Sequence, residues 1–396
     1  MKRSTLIFIV IVFTLISLLL GGCWSNKELN ELAIVLAVGV DKKDDEFVVT
    51  VQVVMPKEFL VESTLAPVST FTASGKSLHE AFAKIAASLP RVPYFSHQRI
   101  QIYHESVAKE GILPLLDIVE RNQQSRPDFF FLISKDPAEE ILQIMTPLEK
   151  TPSGNIGKTL RNAARNWGIT PLIKRDELIE GITSEGKDVV LPSIKIIGDK
   201  EIGKTMKNLE SLHSAADIEF EKSAVFVRDR LAGWFNDRES RGYSLTQGRI
   251  VQMFINIPCS DANNNIVVGT RNIVPSISSR IRNEKPEVDI KLRVEGEIVE
   301  VSCPGLNLDK PETITDIQED FGKEMKKLIE ETIKKSYHKI KADVYGFGEE
   351  IRKHHPEAWK SLKDDWHEQL PNLPIHIEID AKIRRIGVIT NMPNPS

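Results

Sequence analysis

Val288-Asp289-Ile290-Lys291-Leu292-Arg293-Val294-Glu295 alternates apolar and charged residues without a lapse. Successive strand side chains point to opposite faces, so these eight residues describe a strand with one buried and one wet face. Ile375, Ile377, Ile379, Ala381 and Ile383 repeat the pattern near the C-terminal end, and residues 250–257 and 266–274 read as two further strands. Between the alternating segments the period changes. Over residues 315–345, Ile317, Phe321, Met325, Leu328, Thr332 and Ile340 line one side of a long helix. Thr315 and Gln318 are placed to cap it. Glu319 with Lys323, Glu330 with Lys334 and Glu331 with Lys335 stand at i,i+4, and the basic end (Lys334, Lys335, Lys339, Lys341) suits the helix dipole. An antiparallel sheet, polar on one face and covered on the other by one long helix, satisfies all of these patterns, and residues 218–392 are expected to form it.

Residues 31–200 mix short strands and helices. Residues 32–40 and 47–55 read as a hairpin around the charged turn 41–45, and Ser77 with Glu80 has capping-box spacing ahead of a helix over 77–89. A strand at 99–103, a helix over 106–122 and an apolar strand at 129–133 follow. Asp136-Pro137 offers a capping carboxylate and a proline at a helix start. Helices at 155–166 and 175–181 and a strand at 189–197 close this half, with a subdivision expected near 151. Residues 201–217 are polar, lack an apolar period and read as a linker. The fold class is α+β, with one or two small mixed domains ahead of the sheet-and-helix domain.

The first 22 residues follow other rules. Lys2 and Arg3 precede an apolar run over 6–20, and the run ends in Leu20-Gly21-Gly22-Cys23. That run is shorter than the roughly 20 residues a spanning helix needs, and it reads as a secretory signal. Leu20 three residues before a cysteine, with two glycines between, reads as a lipobox. Cleavage is expected between Gly22 and Cys23, with Cys23 carrying an S-diacylglycerol thioether and residues 23–30 acting as a stalk. Two acyl chains hold a protein to a membrane where one is marginal.

The whole chain carries a formal charge of −4. Losing the two cations of the leader lowers it, which argues against a nucleic-acid partner. A disulfide between Cys259 and Cys303 is permitted outside the cytoplasm, but two cysteines form no framework, and the reading leans to unpaired thiols.

Apparent catalytic motifs fail on spacing. Gly154 to Thr159 ends like a phosphate loop, but Pro152 occupies the earlier glycine position and no apolar strand leads in. His354-His355 and His367-Glu368 lack zincin spacing and read as solvated or boundary histidines. The carboxylate pairs Asp44-Asp45, Glu349-Glu350 and Asp364-Asp365 are sequence neighbours and do not face each other across a pocket. No cofactor or catalytic residue is assigned, and the chain is not read as an enzyme.

Several longer stretches carry a resemblance. Ala224-Val225-Phe226 to Asp229, Leu231, Gly233-Trp234 and Glu239-Ser240-Arg241-Gly242 form one. Ala342-Asp343-Val344-Tyr345-Gly346-Phe347-Gly348 with Pro356, Trp359, Trp366 and Pro371 forms a second, and Ile383-Arg384-Arg385-Ile386-Gly387 a third. Together with residues 28–41 and Pro93-Tyr94-Phe95-Ser96-His97, they resemble the C-subunit lipoproteins of spore germinant receptors, the Ger(x)C family. Ala232 and Tyr345 depart mildly from that pattern. The resemblance implies three α/β-type domains and a lipid-anchored, non-enzymatic protein on the outer face of the spore inner membrane. It also implies a multipass A subunit and a transporter-like B subunit as partners.

Within these motifs, the glycines around Phe347 are expected to let the chain leave the long helix, and Trp359 and Trp366 to share a helix face. Glu239 and Arg241 read either as a local ion pair or, with Arg385, as a candidate partner surface. Arg384 and Arg385 point to opposite faces of a strand, so one of them must be paired or lie at an edge. The competing reading is a solute-binding lipoprotein that hands a small germinant to a membrane partner.

Overall fold

The computed structural model describes residues 28–55, 66–121, 126, 128–259, 264–283 and 285–390, and positions 3, 7, 8 and 11 of the leader. Gly22 and Cys23 lie outside the described residues. β1 (Leu32–Lys43) and β2 (Glu46–Val54) form the expected hairpin, turning through Asp44 and Asp45 at φ 50° and 63°. Aspartate tolerates that left-handed region better than bulkier residues do. β3 (Val68–Gly75) adds to β2, and α1 (Leu78–Ser88) follows, with Ser77 Oγ accepting from the Glu80 amide. β4 (Val92–Tyr94) and β5 (Ile100–His104) both run parallel to β1.

The expected helix over 106–122 is broken into α2 (Glu105–Glu110) and α3 (Leu113–Arg121). Gly111, at φ 123°, turns the chain so that buried Ile112 can donate its amide to Asp229 O at 2.9 Å. β6 (Phe130–Ser134) is parallel to β5 and buried along its whole length. Phe129, Phe131 and Ile133 pack with Ile85, Leu115 and Leu116 on one side of the sheet. Phe130 and Leu132 pack on the other side with α4 (Ala138–Gln143) and α5 (Pro152–Asn166). A strand covered on both faces has no polar side to show, which is why this one reads as a continuous apolar run.

The amides that open α4 are capped by Asp41 of β1, not by Asp136. Asp41 accepts from Ala138 N at 2.7 Å and Glu139 N at 3.0 Å, whereas Asp136 accepts from Ile196 N at 2.7 Å. α6 (Arg175–Thr183) leads to β7 (Val190–Gly198), parallel to β6.

The segment expected as a linker, 201–217, does not interrupt the sheet. It holds α7 (Lys200–Gly203) and a 3-10 turn, Met206–Leu209, and its Asn208 is fully buried, bonding Met145 O and both backbone groups of Ala216. β8 (Ala216–Val227) then returns antiparallel along β7, and β9 (Arg230–Phe235) along β8. The strand order is β3-β2-β1-β5-β6-β7-β8-β9, with β4 beside β1.

After α8 (Asp237–Leu245) comes the second sheet, in order β10 (Phe254–Pro258), β11 (Asn265–Arg282), β12 (Lys285–Val301) and β13 (Ile375–Arg385). Its inner face packs on α9 (Pro311–Ile333), which continues as a π-helical turn, Lys334–Ile340. One pairing departs from the expected antiparallel sheet: β13 runs parallel to β12, with α9 in the crossover. The alternation of β13 is the same in either direction, so the pattern alone carried no sign of this.

α9 also starts earlier than expected, at Pro311. Thr315 Oγ1 donates back to Pro311 O, and Gln318 Oε1 accepts from Ile383 N of β13 at 2.9 Å, so neither residue caps the helix. Glu319 and Lys323 come within 3.8 Å, but Glu331 pairs with Arg238 of α8.

Cys259 and Cys303 form a disulfide, with Cα atoms 5.9 Å apart. This corrects the unpaired reading. Pro258 pairs with Asn265 and Val301 with Ile266, so the two cysteines, 44 residues apart in sequence, meet beyond the start of β11.

Candidate functional site

The two sheets share an apolar core, in which Val190, Val225 and Phe235 of the first pack with residues of the second, and beside it they are joined by a buried polar knot. Three short helices form it after the long one: α10 (Phe347–His354), α11 (Pro356–Leu362) and α12 (Trp366–Gln369). The chain leaves the long helix at Lys341, at φ 60°, and not at the glycines around Phe347 as expected; Gly346, at φ 74°, instead sets the start of α10. Gly348 serves a different purpose. A Cβ there would stand 2.7 Å from both Gly186 Cα and Trp366 Nε1, and one on Gly186 would meet the Glu349 amide at 2.5 Å. Two backbones are in contact, and only glycine fits on either side.

Asp343 sits at the centre, fully buried. Its Oδ1 accepts from Tyr337 Oη at 2.8 Å, Gly346 N at 2.9 Å and Phe347 N at 3.0 Å. Its Oδ2 accepts from Gly348 N at 2.8 Å and Trp366 Nε1 at 2.9 Å. Burial pushes this carboxyl's pKa up, against the pull of the amide and phenol donors, and burial with the adjacent Asp343 charge drives the Tyr337 phenol well up.

Asp188, just ahead of β7, reaches across from the first sheet. Its amide donates to Asp343 O at 2.8 Å, and its side-chain Oδ2 accepts from Asp343 N at 2.7 Å. Oδ1 accepts from the amide of Arg228, the left-handed turn residue of the β8–β9 hairpin, at 2.7 Å. His367 Nε2 contacts Oδ2 at 2.9 Å, and this hydrogen bond raises the imidazole pKa against the effect of burial. A solvated or boundary role for His367 is therefore corrected: the ring is part of the knot.

Trp359 and Trp366 fall on two separate short helices, not on one helix face, and meet edge to face at 5.3 Å. Tyr337, Tyr345 and Phe347 pack mutually at 5.3–6.1 Å beside them.

Two of the other candidate residues, Glu239 and Arg241, bond within the fold. Glu239 is spent in a capping box with Asn236 at the start of α8. Arg241 is half-buried and donates to Phe254 O, not to Glu239; burial lowers its pKa. Arg238, to which the sequence drew no attention, ties α8 to α9 through Glu324 and Glu331 at 2.8 Å each. Arg385 is exposed at the end of β13, while Arg384 pairs with Glu295 at 2.7 Å. No hydrogen bond or ion pair joins Arg385 to Glu239 or Arg241 among the described residues.

The phosphate-loop-like segment opens α5 from the inside, its Gly154 amide bonded to Thr151 Oγ1 at 3.0 Å. His354 pairs with Glu350, and His355 contacts Ser279 O. Among the described residues no group of three or more metal-binding side chains comes together, and no helix is long and apolar enough to cross a membrane. Beside the knot, a cavity of about 160 Å³ is lined by Thr170, Lys187, Tyr243, Ser244 and Arg249, among others. The Thr170 and Ser244 hydroxyls are buried there without a partner among the described residues.

Asp343 lies inside a motif that carried the family resemblance, so its importance was visible although its role was not. Asp188 and His367 are 179 residues apart, and nothing local in the sequence pairs them.

The family matches divide the chain between β7 and β8, inside the first sheet. Residues 25–196 match the family described as the spore germination protein N-terminal domain, and residues 221–387 the one described as spore germination B3/GerAC like, C-terminal. Spore germination protein KC of Bacillus subtilis is 30% identical, over 99% of this chain and 98% of that protein. Spore germination protein A3 of Bacillus subtilis is 24% identical over 94% and 95%, respectively. The crystal structure of the GerBC protein shares the fold with a TM-score of 0.52 at 15% identity, covering 87% of this chain and 96% of that one. With both halves matched and a 30% identical relative along nearly the whole length, the chain belongs to the GerAC-like, or Ger(x)C, family of spore germination proteins.

Proposed function

We propose that this protein is the lipid-anchored C subunit of a nutrient germinant receptor, working by contact with the multipass A and transporter-like B subunits on the outer face of the spore inner membrane. The end-to-end match to spore germination proteins carries the reading. The Leu20-Gly21-Gly22-Cys23 sequence supports the anchor. The knot supports a role as a stiff platform, because Asp188 and Asp343 tie the second sheet to the first through buried, charge-assisted bonds that would be costly to break. A tether also raises the effective concentration of weakly binding partners on the same membrane.

Affinity capture of the full chain from spore inner membranes tests this. Recovery of the A and B subunits is expected, and Cys23→Ala should release the chain from the membrane and slow the response to nutrient. Capture of the chain alone, together with an undiminished nutrient response in its deletion strain, would overturn the reading. The cavity beside the knot, with its two unbonded hydroxyls, favours a second reading, solute capture. Two unlike sheets argue against it, since solute receptors pair similar α/β lobes. Calorimetry with amino acids, sugars and nucleosides separates the readings, micromolar binding favouring capture.

A further inference from the structure

β13 is the last strand of the second sheet, and its outer edge is unpaired by any described strand. Two bonds show which residues face that edge. Pro374 O accepts from Val288 N, so residue 374 points toward β12, whereas Ile383 N donates outward to the Gln318 side chain. Backbone groups alternate sides along a strand. Ile375, Ile377, Ile379, Ala381 and Ile383 therefore present their N–H and C=O groups to the open edge. The side chains of Ile377, Ile379 and Ala381 line grooves between this edge and α9. A long edge of this kind is a template for another strand, and natural proteins usually shield it. Among the described residues only the Ile383 amide is filled, by the Gln318 amide oxygen standing where a strand carbonyl would.

The exposed face of β13 says which strand fits. It is acidic in its first half, Glu378 and Asp380, and basic in its second, Lys382 and Arg384. Read antiparallel against itself with Ala381 on the dyad, the strand sets Asp380 opposite Lys382 and Glu378 opposite Arg384, each twice, with no like charges facing. On the inner face the small Ala381 faces itself, and Ile379 meets Ile383, whose amide exchanges the Gln318 oxygen for the Ile379 carbonyl of the second copy. Opposite-charge and apolar pairs of this sort each contribute roughly 0.2–1 kcal/mol.

We propose that two copies of this chain pair through the β13 edges about a two-fold axis at Ala381, joining their second sheets into one of eight strands. A two-fold contact of this kind closes on itself and does not propagate. Edge pairing alone is weak, and tethering both copies to one membrane supplies the concentration it needs. The inference goes beyond the receptor reading, because it concerns contact between copies of this chain and needs neither A nor B subunit.

The test is disulfide trapping in membranes with the full-length chain carrying Ala381→Cys. A band at twice the chain mass that reduction removes is expected. Lys382→Glu added to this background sets a carboxylate opposite Asp380 and should cut the trapped dimer at least tenfold. Further adding Asp380→Lys restores opposite charges and should restore the dimer; because Asp380 and Lys382 also pair within one chain, at 3.9 Å, equal urea midpoints for the variants exclude a folding defect. Sedimentation of the detergent-solubilised wild-type chain, with concentration-dependent dimers expected, covers the case in which Ala381→Cys fails to fold. Monomers in both assays, a crosslink to a different protein only, or trapping indifferent to the charge swap would overturn the proposal. Failure of A- and B-subunit capture would leave this result unchanged, so the two readings fail separately.

Discussion

The two sheets solve the same problem in opposite ways. β5, β6 and β7 lie in the middle of the first sheet, with helices on both faces, and their side chains divide between two cores. β12 and β13 have one core only, and their other face is a ladder of charges: Lys291 with Glu378 at 3.0 Å, Arg293 with Asp380 at 3.6 Å, and Arg384 with Glu295 at 2.7 Å. The first sheet is built for depth. The second keeps a face and an edge in contact with the surroundings, which suits a part of the molecule that meets partners. The polar knot and the apolar core beside it tie the two together.

Removing the knot should have the largest effect. Asp343→Ala leaves Tyr337 Oη, Trp366 Nε1 and the amides of residues 346–348 without an acceptor in a buried place, and is expected to cost about 3–5 kcal/mol. Urea unfolding should then show separate transitions for the two halves, whereas a single unshifted transition would mean that the knot does not couple them. Gly348→Ala attacks the same junction by sterics and should also destabilise it, since backbone and the Trp366 ring must move to admit a Cβ.

The contrast between the sheets can be measured directly. Phe131→Ala in the doubly covered β6 is expected to cost about 3–5 kcal/mol. Ile377→Ala on half-exposed β13 should cost about 1 kcal/mol, because the site was never fully removed from water. Equal losses at the two positions would abolish the distinction.

His367 gives a smaller, pH-dependent effect. Its pKa is raised in the folded protein, so its ion pair with Asp188 is fully present below the ordinary histidine value of about 6.5 and fades as pH rises through the higher folded value. The advantage of wild type over His367→Gln in urea midpoint should therefore be larger at pH 6 than at pH 9. An advantage that grew with pH would reverse the assignment. Arg238→Ala, at an exposed pair, should change stability by no more than about 1 kcal/mol.

How much could be read from the chain follows from the same contrast. Alternation at 288–295 and 375–383 announced strands with one wet face, and the helical period between them announced the covering helix. Direction was not legible: nothing in Ile375, Ile377 and Ile379 says that β13 runs with β12. Partners far apart in sequence were also hidden. Asp41 caps a helix that starts at Ala138, Cys303 meets Cys259, and Asp188 receives His367. In each case the local sequence offered a plausible nearer substitute, such as Asp136 for the cap, and the fold brought in the remote residue. The polar stretch at 201–217 was misread for a related reason. Its buried anchor is Asn208, a residue type that carries no apolar signal.

A lipid on Cys23 that holds this platform to a membrane is the central claim. Intact-mass spectrometry of the chain extracted from spore inner membranes tests it most directly. The result expected is a mature chain that begins at Cys23 and carries a diacylglycerol thioether, with or without N-acylation. A chain of full mass that begins at Met1, or one trimmed to Cys23 with no lipid attached yet still in the membrane fraction, would contradict it.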